Sequence, residues 1–100
     1  MEFRQLEYAV AVAEERNFTR AAARCHVTQP SLSVQVKKLE RELGGPLFDR
    51  LGRRVGITTL GERFLPHARA ILLRARAAQA GAHEGLDYLM HEDVAQRLRL

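Results

Sequence analysis

A mostly α-helical fold is predicted, in which three helices and a short two-stranded β-hairpin precede one long helix. Two features of the 100-residue sequence predict it: apolar residues recur at helical spacing in four segments, and a short glycine-bearing segment interrupts them. Because hydrophobic residues make up 46% of the sequence, the chain can bury one modest core. A second full domain does not fit.

The first two helices follow from apolar spacing and from one capping residue. A set of apolar residues spaced by three and four predicts a first helix that ends near Glu15. Its members are Phe3, Leu6, Val10 and Ala13. Asn17 then offers a side-chain cap for a short second helix, from Phe18 to about Cys25. Ala21 and Ala22 have little side-chain bulk, so a neighbouring helix can approach closely.

Capping and stop signals bound the third helix. Thr28 is a good N-cap, and Pro30 falls in the first turn, where its missing N–H does no harm. Residues 44–46 are Gly-Gly-Pro, which caps a helix and prevents its continuation. The third helix is therefore predicted over Gln29–Leu43.

Two short extended segments, residues 47–50 and 55–57, flank the basic loop Gly52-Arg53-Arg54. This pattern is typical of a wing, which is a β-hairpin packed beside a helix-turn-helix. Thr59 and Glu62 then have the spacing of a capping box, which predicts that Thr59 caps the long helix.

The long helix is predicted over residues 59–92, with a possible break near Gly81 because glycine weakens a helix by about 1 kcal/mol relative to alanine. Its apolar stripe extends over about eight turns, which is more than so small a head is expected to cover. The stripe therefore predicts dimerisation. The residues expected to make the contact are Phe64, Ala68, Ile71, Leu72 and Ala75.

The charge is unevenly distributed. The net charge is +4, and residues 16–54 hold nine basic and three acidic side chains, a local charge of +6. Such a surplus favours a polyanionic partner. The basic side chains are Arg16, Arg20, Arg24, Lys37, Lys38, Arg41, Arg50, Arg53 and Arg54.

The third helix has two different faces on a helical wheel. Leu32, Val36, Leu39 and Leu43 form the predicted buried face, and the opposite face consists of Pro30, Ser33, Val34, Lys37, Lys38 and Arg41. In helix-turn-helix proteins such a face lies in the DNA major groove, with its N-terminal residues on the base edges. Gln29 and Ser33 can hydrogen-bond bases, and Val34 either contacts a thymine methyl group or is a tolerated surface residue.

The cations suit two kinds of DNA contact. Lys37, Lys38 and Arg41 lie further along the helix and are expected to meet phosphates, which position a protein without specifying sequence. Arg53 and Arg54 at the wing tip are expected to enter a minor groove. Any one of these charges alone is better explained as a solvated surface residue, but nine cations, a turn between two capped helices and a basic wing together favour a nucleic-acid partner.

Several motifs in uninterrupted register over about residues 1–80 resemble one known family. They are residues 3–8, Phe-Arg-Gln-Leu-Glu-Tyr; residues 17–22, Asn-Phe-Thr-Arg-Ala-Ala; residues 27–33, Val-Thr-Gln-Pro-Ser-Leu-Ser; residues 39–44, Leu-Glu-Arg-Glu-Leu-Gly; residues 47–50, Leu-Phe-Asp-Arg; and residues 59–62, Thr-Leu-Gly-Glu. Together they resemble the N-terminal domain of LysR-type transcriptional regulators.

The resemblance implies a winged helix-turn-helix domain over residues 1–58, dimerised through the long helix and commonly within a tetramer. It implies sequence-specific binding to an interrupted palindrome in double-stranded DNA. The family contacts carry over to Gln29, Pro30, Ser31, Ser33, Val34, Lys37 and Arg53, with Thr19 and Arg20 near phosphate. Residues 93–100 are expected to begin a further domain that binds a small-molecule effector, because Arg97–Leu100 resembles the first strand of that domain in the family.

Two other kinds of protein fit this sequence less well. An architectural DNA protein would coat or bend DNA without base-reading groups, and a protein-interaction module would leave the basic face and the wing unexplained. No enzyme motif is present: Gly-x-Ser-x-Gly, a phosphate loop and paired carboxylates are absent. The four histidines lack metal-ligand spacing, and no cofactor is expected in this segment. A lone Cys25 and no signal peptide or membrane span predict a cytoplasmic protein.

Overall fold

The computed structural model describes the backbone of residues 1–50 and 52–98 and the side chains of residues 1–50 and 52–84. In chain order the elements are α1 (Phe3–Glu15), α2 (Phe18–Arg24), α3 (Gln29–Leu43), β1 (Phe48–Asp49), β2 (Gly56–Ile57) and α4 (Thr59–Leu98). The two strands pair antiparallel, with Phe48 opposite Ile57. The predicted fold class is confirmed: three helices, a two-stranded wing and a long helix.

A capping box at Glu2 begins α1. The Glu2 backbone N–H donates to Gln5 Oε1 over 2.9 Å, and the Glu2 side chain accepts from the third helical N–H in return. Burial on α1 begins at Gln5 and Leu6. Phe3 is 46% exposed, although it shares the helical spacing of Leu6, Val10 and Ala13. The predicted helix is confirmed, and its burial begins within the first turn.

Side-chain caps fix the turn between α2 and α3. Asn17 Oδ1 accepts from the Arg20 N–H over 2.9 Å, and Thr28 Oγ1 accepts from the Ser31 N–H over 3.3 Å. Between the helices His26 has φ 58°, in the left-handed region that reverses the chain direction. Both predicted N-caps are confirmed, and α2 ends at Arg24 with Cys25 as its C-cap.

One core holds the helices and the wing together. Leu32, Val36 and Leu39 of α3 are fully buried, as the helical wheel predicts, and Leu43 packs against the core at its edge. Ala21 and Ala22 of α2 are also buried, so α1 and α3 approach α2 closely. The result is a compact head with the opposite face of α3 in solvent.

The wing (residues 47–57) is tied to the start of α4 by hydrogen bonds from Thr58. Its N–H donates to the Leu47 carbonyl over 3.0 Å, and its hydroxyl donates to the Pro46 carbonyl over 2.6 Å. The same Oγ1 accepts from the Gly61 N–H over 3.0 Å, so Thr58 is the residue that caps α4. The predicted cap at Thr59 is wrong by one position, because Thr59 is already helical.

The apolar stripe of α4 divides into two parts. Leu65, Ala68 and Leu72 are buried within the head, where α4 packs on α1. The prediction that Ala68 and Leu72 face outward is therefore wrong. Ile71, beside them, remains 44% exposed.

Beyond the head, α4 continues without interruption through Gly81 to Leu98. The predicted break near Gly81 does not occur, and the helix does not end at residue 92. Residues 93–98 are helical rather than extended, so the strand expected over Arg97–Leu100 is contradicted at Arg97 and Leu98; Arg99 and Leu100 lie outside the described residues.

Candidate nucleic-acid interface

The base-reading groups predicted on α3 meet in its first two turns. Gln29 Nε2 donates to Ser33 Oγ over 3.0 Å, so the two side chains hold each other on the same side of the helix. The Gln29 carboxamide oxygen and the second Nε2 hydrogen remain available, and they match the adenine edge in the major groove. Val34 beside them is 51% exposed, which makes it one of the large apolar side chains in solvent.

A groove of about 470 Å³ separates α1 from the start of α3. Pro30, Ser31 and Val34 line it on the α3 side, and Arg4 and Tyr8 line it on the α1 side. The Ser31 hydroxyl accepts from the hydroxyl of the N-cap Thr28 over 2.8 Å. Part of the hydrogen-bonding capacity of Ser31 is therefore used at the helix cap. Sequence reasoning did not single out Arg4 and Tyr8, whose position beside Val34 comes only from the packing of α1 on α3.

The nine cations of residues 16–54 separate into two groups. Three have partners within the chain: Arg16 donates to the Val55 carbonyl over 3.4 Å, Arg24 pairs with Glu14 over 2.5 Å, and Arg50 lies 3.9 Å from the Phe18 ring centroid. The hydrogen bond to Glu14 raises the pKa of Arg24 above its usual value. The others are exposed and have no ion pair among the described residues; they are Arg20, Lys37, Lys38, Arg41, Arg53 and Arg54.

These six unpaired cations are the six that the sequence analysis assigned to DNA, and they come from three elements. Arg20 follows the exposed Thr19 in the first turn of α2, three lie along the exposed face of α3, and Arg53 and Arg54 lie at the wing tip. A groove of about 490 Å³ between α3 and the wing is lined by Lys37 on one side and Arg50 on the other. The unpaired cations therefore lie on α2, on the exposed face of α3 and at the wing tip, and one groove joins the α3 and wing sides.

Gln5 is a supporting residue that the sequence analysis missed. It is buried, and its Nε2 donates to Gln35 Oε1 over 3.2 Å, which joins α1 to α3 two residues after Ser33. The sequence feature that could have identified Gln5 is its position next to the apolar stripe of α1. A buried amide of this kind needs a hydrogen-bond partner, and this bond links α1 to α3 beside the core.

Metal-binding clusters are not found in the described part of the chain. No group of three or more His, Cys, Asp or Glu side chains is close enough to hold a metal ion there. Cys25 is half-buried, and this burial raises the pKa of its thiol, which therefore stays protonated near neutral pH. Among the same residues no helix is long and apolar enough to cross a membrane.

Residues 3–62 match the family model described as the bacterial regulatory helix-turn-helix protein, lysR family. This match covers α1 to the first turn of α4, including every predicted DNA-contacting residue. The chain belongs to the LysR family. The family and the fold expected from the sequence motifs are confirmed.

Individual LysR-family proteins are similar over most of this chain. The HTH-type transcriptional regulator BudR of Klebsiella aerogenes is 54% identical over 78 residues, which are 78% of this chain and 54% of BudR. Full-length OxyR from Pseudomonas aeruginosa has a TM-score of 0.81 and 45% identity, over 85% of this chain and 29% of OxyR. The chain thus spans about half or less of these LysR relatives.

A second similar structure is a DNA complex of the BenM DNA-binding domain with its benA site 1. It has a TM-score of 0.79 and 39% identity, and the match covers 84% of this chain and 94% of that domain. The match therefore covers most of both chains. In that complex the matched domain is bound to DNA, as its description says.

Proposed function

We propose that this chain is the DNA-binding part of a transcriptional regulator that recognises a specific sequence in double-stranded DNA. The observation that carries the proposal is the exposed face of α3, where a hydrogen-bonded Gln29–Ser33 pair lies at the N-terminal end and unpaired cations follow along the helix. The DNA complex of the similar BenM domain supports it.

In this proposal α3 lies in the major groove with its first two turns on the base edges. Gln29 makes a bidentate contact to one adenine, and its bond to Ser33 keeps the amide in place before DNA arrives. Val34 contacts a thymine methyl, which removes an exposed apolar group from water. Pro30 and Ser31 complete the contact at the helix start.

Phosphate contacts come from the unpaired cations of α2 and α3, with the hydroxyl of Thr19 next to Arg20. Arg53 and Arg54 on the wing tip enter the adjacent minor groove, where negative potential is strongest in narrow A·T-rich sequence. These contacts fix the position and orientation of the head, so that the α3 residues can select sequence.

The remaining parts of the proposal concern the whole protein. Residues 1–58 form the DNA-binding domain, and α4 joins two heads through Phe64, Ile71 and Ala75, so that a homodimer, or a tetramer built from dimers, binds an interrupted palindrome. A small-molecule effector binds elsewhere in the full-length protein. The protein works in the cytoplasm, where its DNA is, and it is not an enzyme, in keeping with the regulators that it resembles.

The test of sequence recognition begins by selecting a duplex from a random-sequence library with the wild-type chain. Wild type, Gln29→Ala and Val34→Ala are then titrated at one salt concentration against that duplex, a shuffled duplex and a uracil-substituted duplex. Gln29→Ala should lose about 1–3 kcal/mol on the selected duplex and little on the shuffled one. Val34→Ala should lose affinity mainly for the thymine form, since uracil lacks only the methyl group.

Gln79→Ala is the matched control, because Gln79 is an exposed glutamine on α4, away from α3, and should bind every duplex like wild type. Equal losses of Gln29→Ala on selected and shuffled duplexes would favour the architectural alternative. No enrichment of any sequence would reject the proposed function.

A second prediction uses salt dependence to separate free from paired arginines on the same short helix. Neutralising phosphates releases condensed counterions, so Arg20→Ala should flatten the slope of log K against log salt by about one. Arg24→Ala should leave the slope unchanged, because Arg24 is already paired with Glu14 and Glu15. Lys38→Ala should behave like Arg20→Ala on every duplex. A salt slope for Arg20→Ala that equals the wild-type slope would remove Arg20 from the phosphate contacts.

A further inference from the structure

The wing is too small to hold its own orientation. Its two strands contain two residues each, with one pair at Phe48–Ile57 and one at Asp49–Gly56. An isolated hairpin of this size is not stable in water, because so few paired residues do not offset the entropy of ordering the loop. The position of Arg53 and Arg54 therefore depends on contacts between the wing and the helices.

One such contact is a stack of two rings and a guanidinium between the wing and α2. Phe18, the first residue of α2, meets Phe48 of β1 edge to face, with ring centroids 6.0 Å apart and an interplanar angle of 86°. Arg50, two residues after Phe48, places its Cζ over the same Phe18 ring, 3.9 Å from the ring centroid. This is cation–π distance, and Arg stacks better than Lys because its charged group is planar.

A second contact joins the returning strand to the end of α1. The Val55 N–H donates to the Arg16 carbonyl over 3.2 Å, and Arg16 Nη1 donates to the Val55 carbonyl over 3.4 Å. Arg16 has φ 53°, in the left-handed region, and this conformation presents its carbonyl to the wing. Together the two contacts hold both wing segments against the turn between α1 and α2.

We propose that Arg50 is a positioning residue, which stacks on Phe18 to orient the wing and so places Arg53 at the minor groove, and that it is not a phosphate contact. The proposal rests on the proposed DNA-binding function. Because Arg50 is exposed and lines the groove opposite Lys37, phosphate binding is the competing role, and charge alone does not separate the two.

The first arm of the test uses the chain without DNA and measures amide exchange of Val55 by NMR. Arg50→Ala and Phe18→Leu should each speed Val55 exchange by about threefold or more, since both remove the Arg50–Phe18 contact, and adding Arg50→Ala to Phe18→Leu should change little further. Lys37→Ala is the matched control, a cation from the same groove without a ring partner, and should leave Val55 exchange unchanged. The Leu39 amide in the core of α3 reports any global loss of stability.

The second arm measures binding to the duplex selected by the wild-type chain. Arg53→Ala should weaken binding by about tenfold in the wild-type background and by about twofold in Arg50→Ala, because a displaced wing no longer delivers Arg53. In the Lys37→Ala background the cost of Arg53→Ala should stay near tenfold. Losing Lys37 does not displace the wing, so Arg53 still reaches the DNA.

Two results would overturn the proposal. One is unchanged Val55 exchange in Arg50→Ala. The other is an equal cost of Arg53→Ala with and without Arg50. If Arg50→Ala also lowers the salt slope by about one, Arg50 is a phosphate contact. Failure of the proposed function appears differently: the wild-type chain then enriches no duplex, while the exchange arm still reports whether Arg50 anchors the wing.

Discussion

Gly61→Ala should destabilise the head by about 2–3 kcal/mol, although it adds a single methyl group to a helix that favours alanine. A Cβ at this position would lie 2.3 Å from the Leu47 carbonyl oxygen and 2.7 Å from Ile57 Cγ2. That oxygen accepts the hydrogen bond from the Thr58 N–H, so the backbone of the wing cannot move away without losing it. Thermal unfolding of the variant should show a midpoint lowered by roughly 10 °C or more.

The same substitution at Gly81 is the matched control on the same helix. A Cβ there meets nothing within 4 Å, so Gly81→Ala should stabilise the helix by about 0.5–1 kcal/mol through helix propensity alone. Opposite signs at the two positions would attribute the loss at Gly61 to contact with the wing. If Gly61→Ala unfolds at the wild-type temperature, α4 and the wing are not as close as the structure places them.

Ile71→Glu should convert the proposed dimer to monomer and weaken binding to a duplex with two half-sites by about a hundredfold or more, because the second head then binds as a separate molecule. Ile71 keeps 44% of its surface exposed, while its neighbours Ala68 and Leu72 are buried in the head. It therefore belongs to the part of the stripe that remains free to meet a second α4. Sedimentation gives the oligomeric state, and titration against one-site and two-site duplexes gives the affinity.

Leu73→Glu provides the control for charge and for loss of an apolar residue. Leu73 is more exposed, at 69%, but it lies two residues from Ile71 and so projects about 200° around the helix. This variant should remain dimeric and bind the two-site duplex like wild type. A dimeric Ile71→Glu, or a monomeric Leu73→Glu, would place the interface on a different face of α4. A wild-type chain that is monomeric at high concentration would remove the dimerisation proposal.

Local signals in the sequence predicted the ends of most elements. Side-chain caps at Asn17 and Thr28 and the Gly-Gly-Pro stop act within a few residues, so their effect does not depend on the rest of the fold. The helical wheel of α3 was equally informative, because one face of that helix is apolar and the other is charged. The error at Thr59 arose because two adjacent threonines offer the same cap, and the choice of Thr58 depends on its bonds to Pro46 and Leu47.

The sequence by itself therefore determined the family, the helix boundaries of the head and the face of α3 that meets solvent. Only the tertiary structure decided which residues on an apolar stripe are covered, since periodicity gives a direction around a helix but not how far along it other elements extend. This is why Phe3 is exposed, Ala68 and Leu72 are buried, and Ile71 is left outside. Tertiary contacts likewise decided which arginines have partners within the chain. The partner of Arg50 lies 32 positions earlier, on a helix that the wing contacts only in the folded chain.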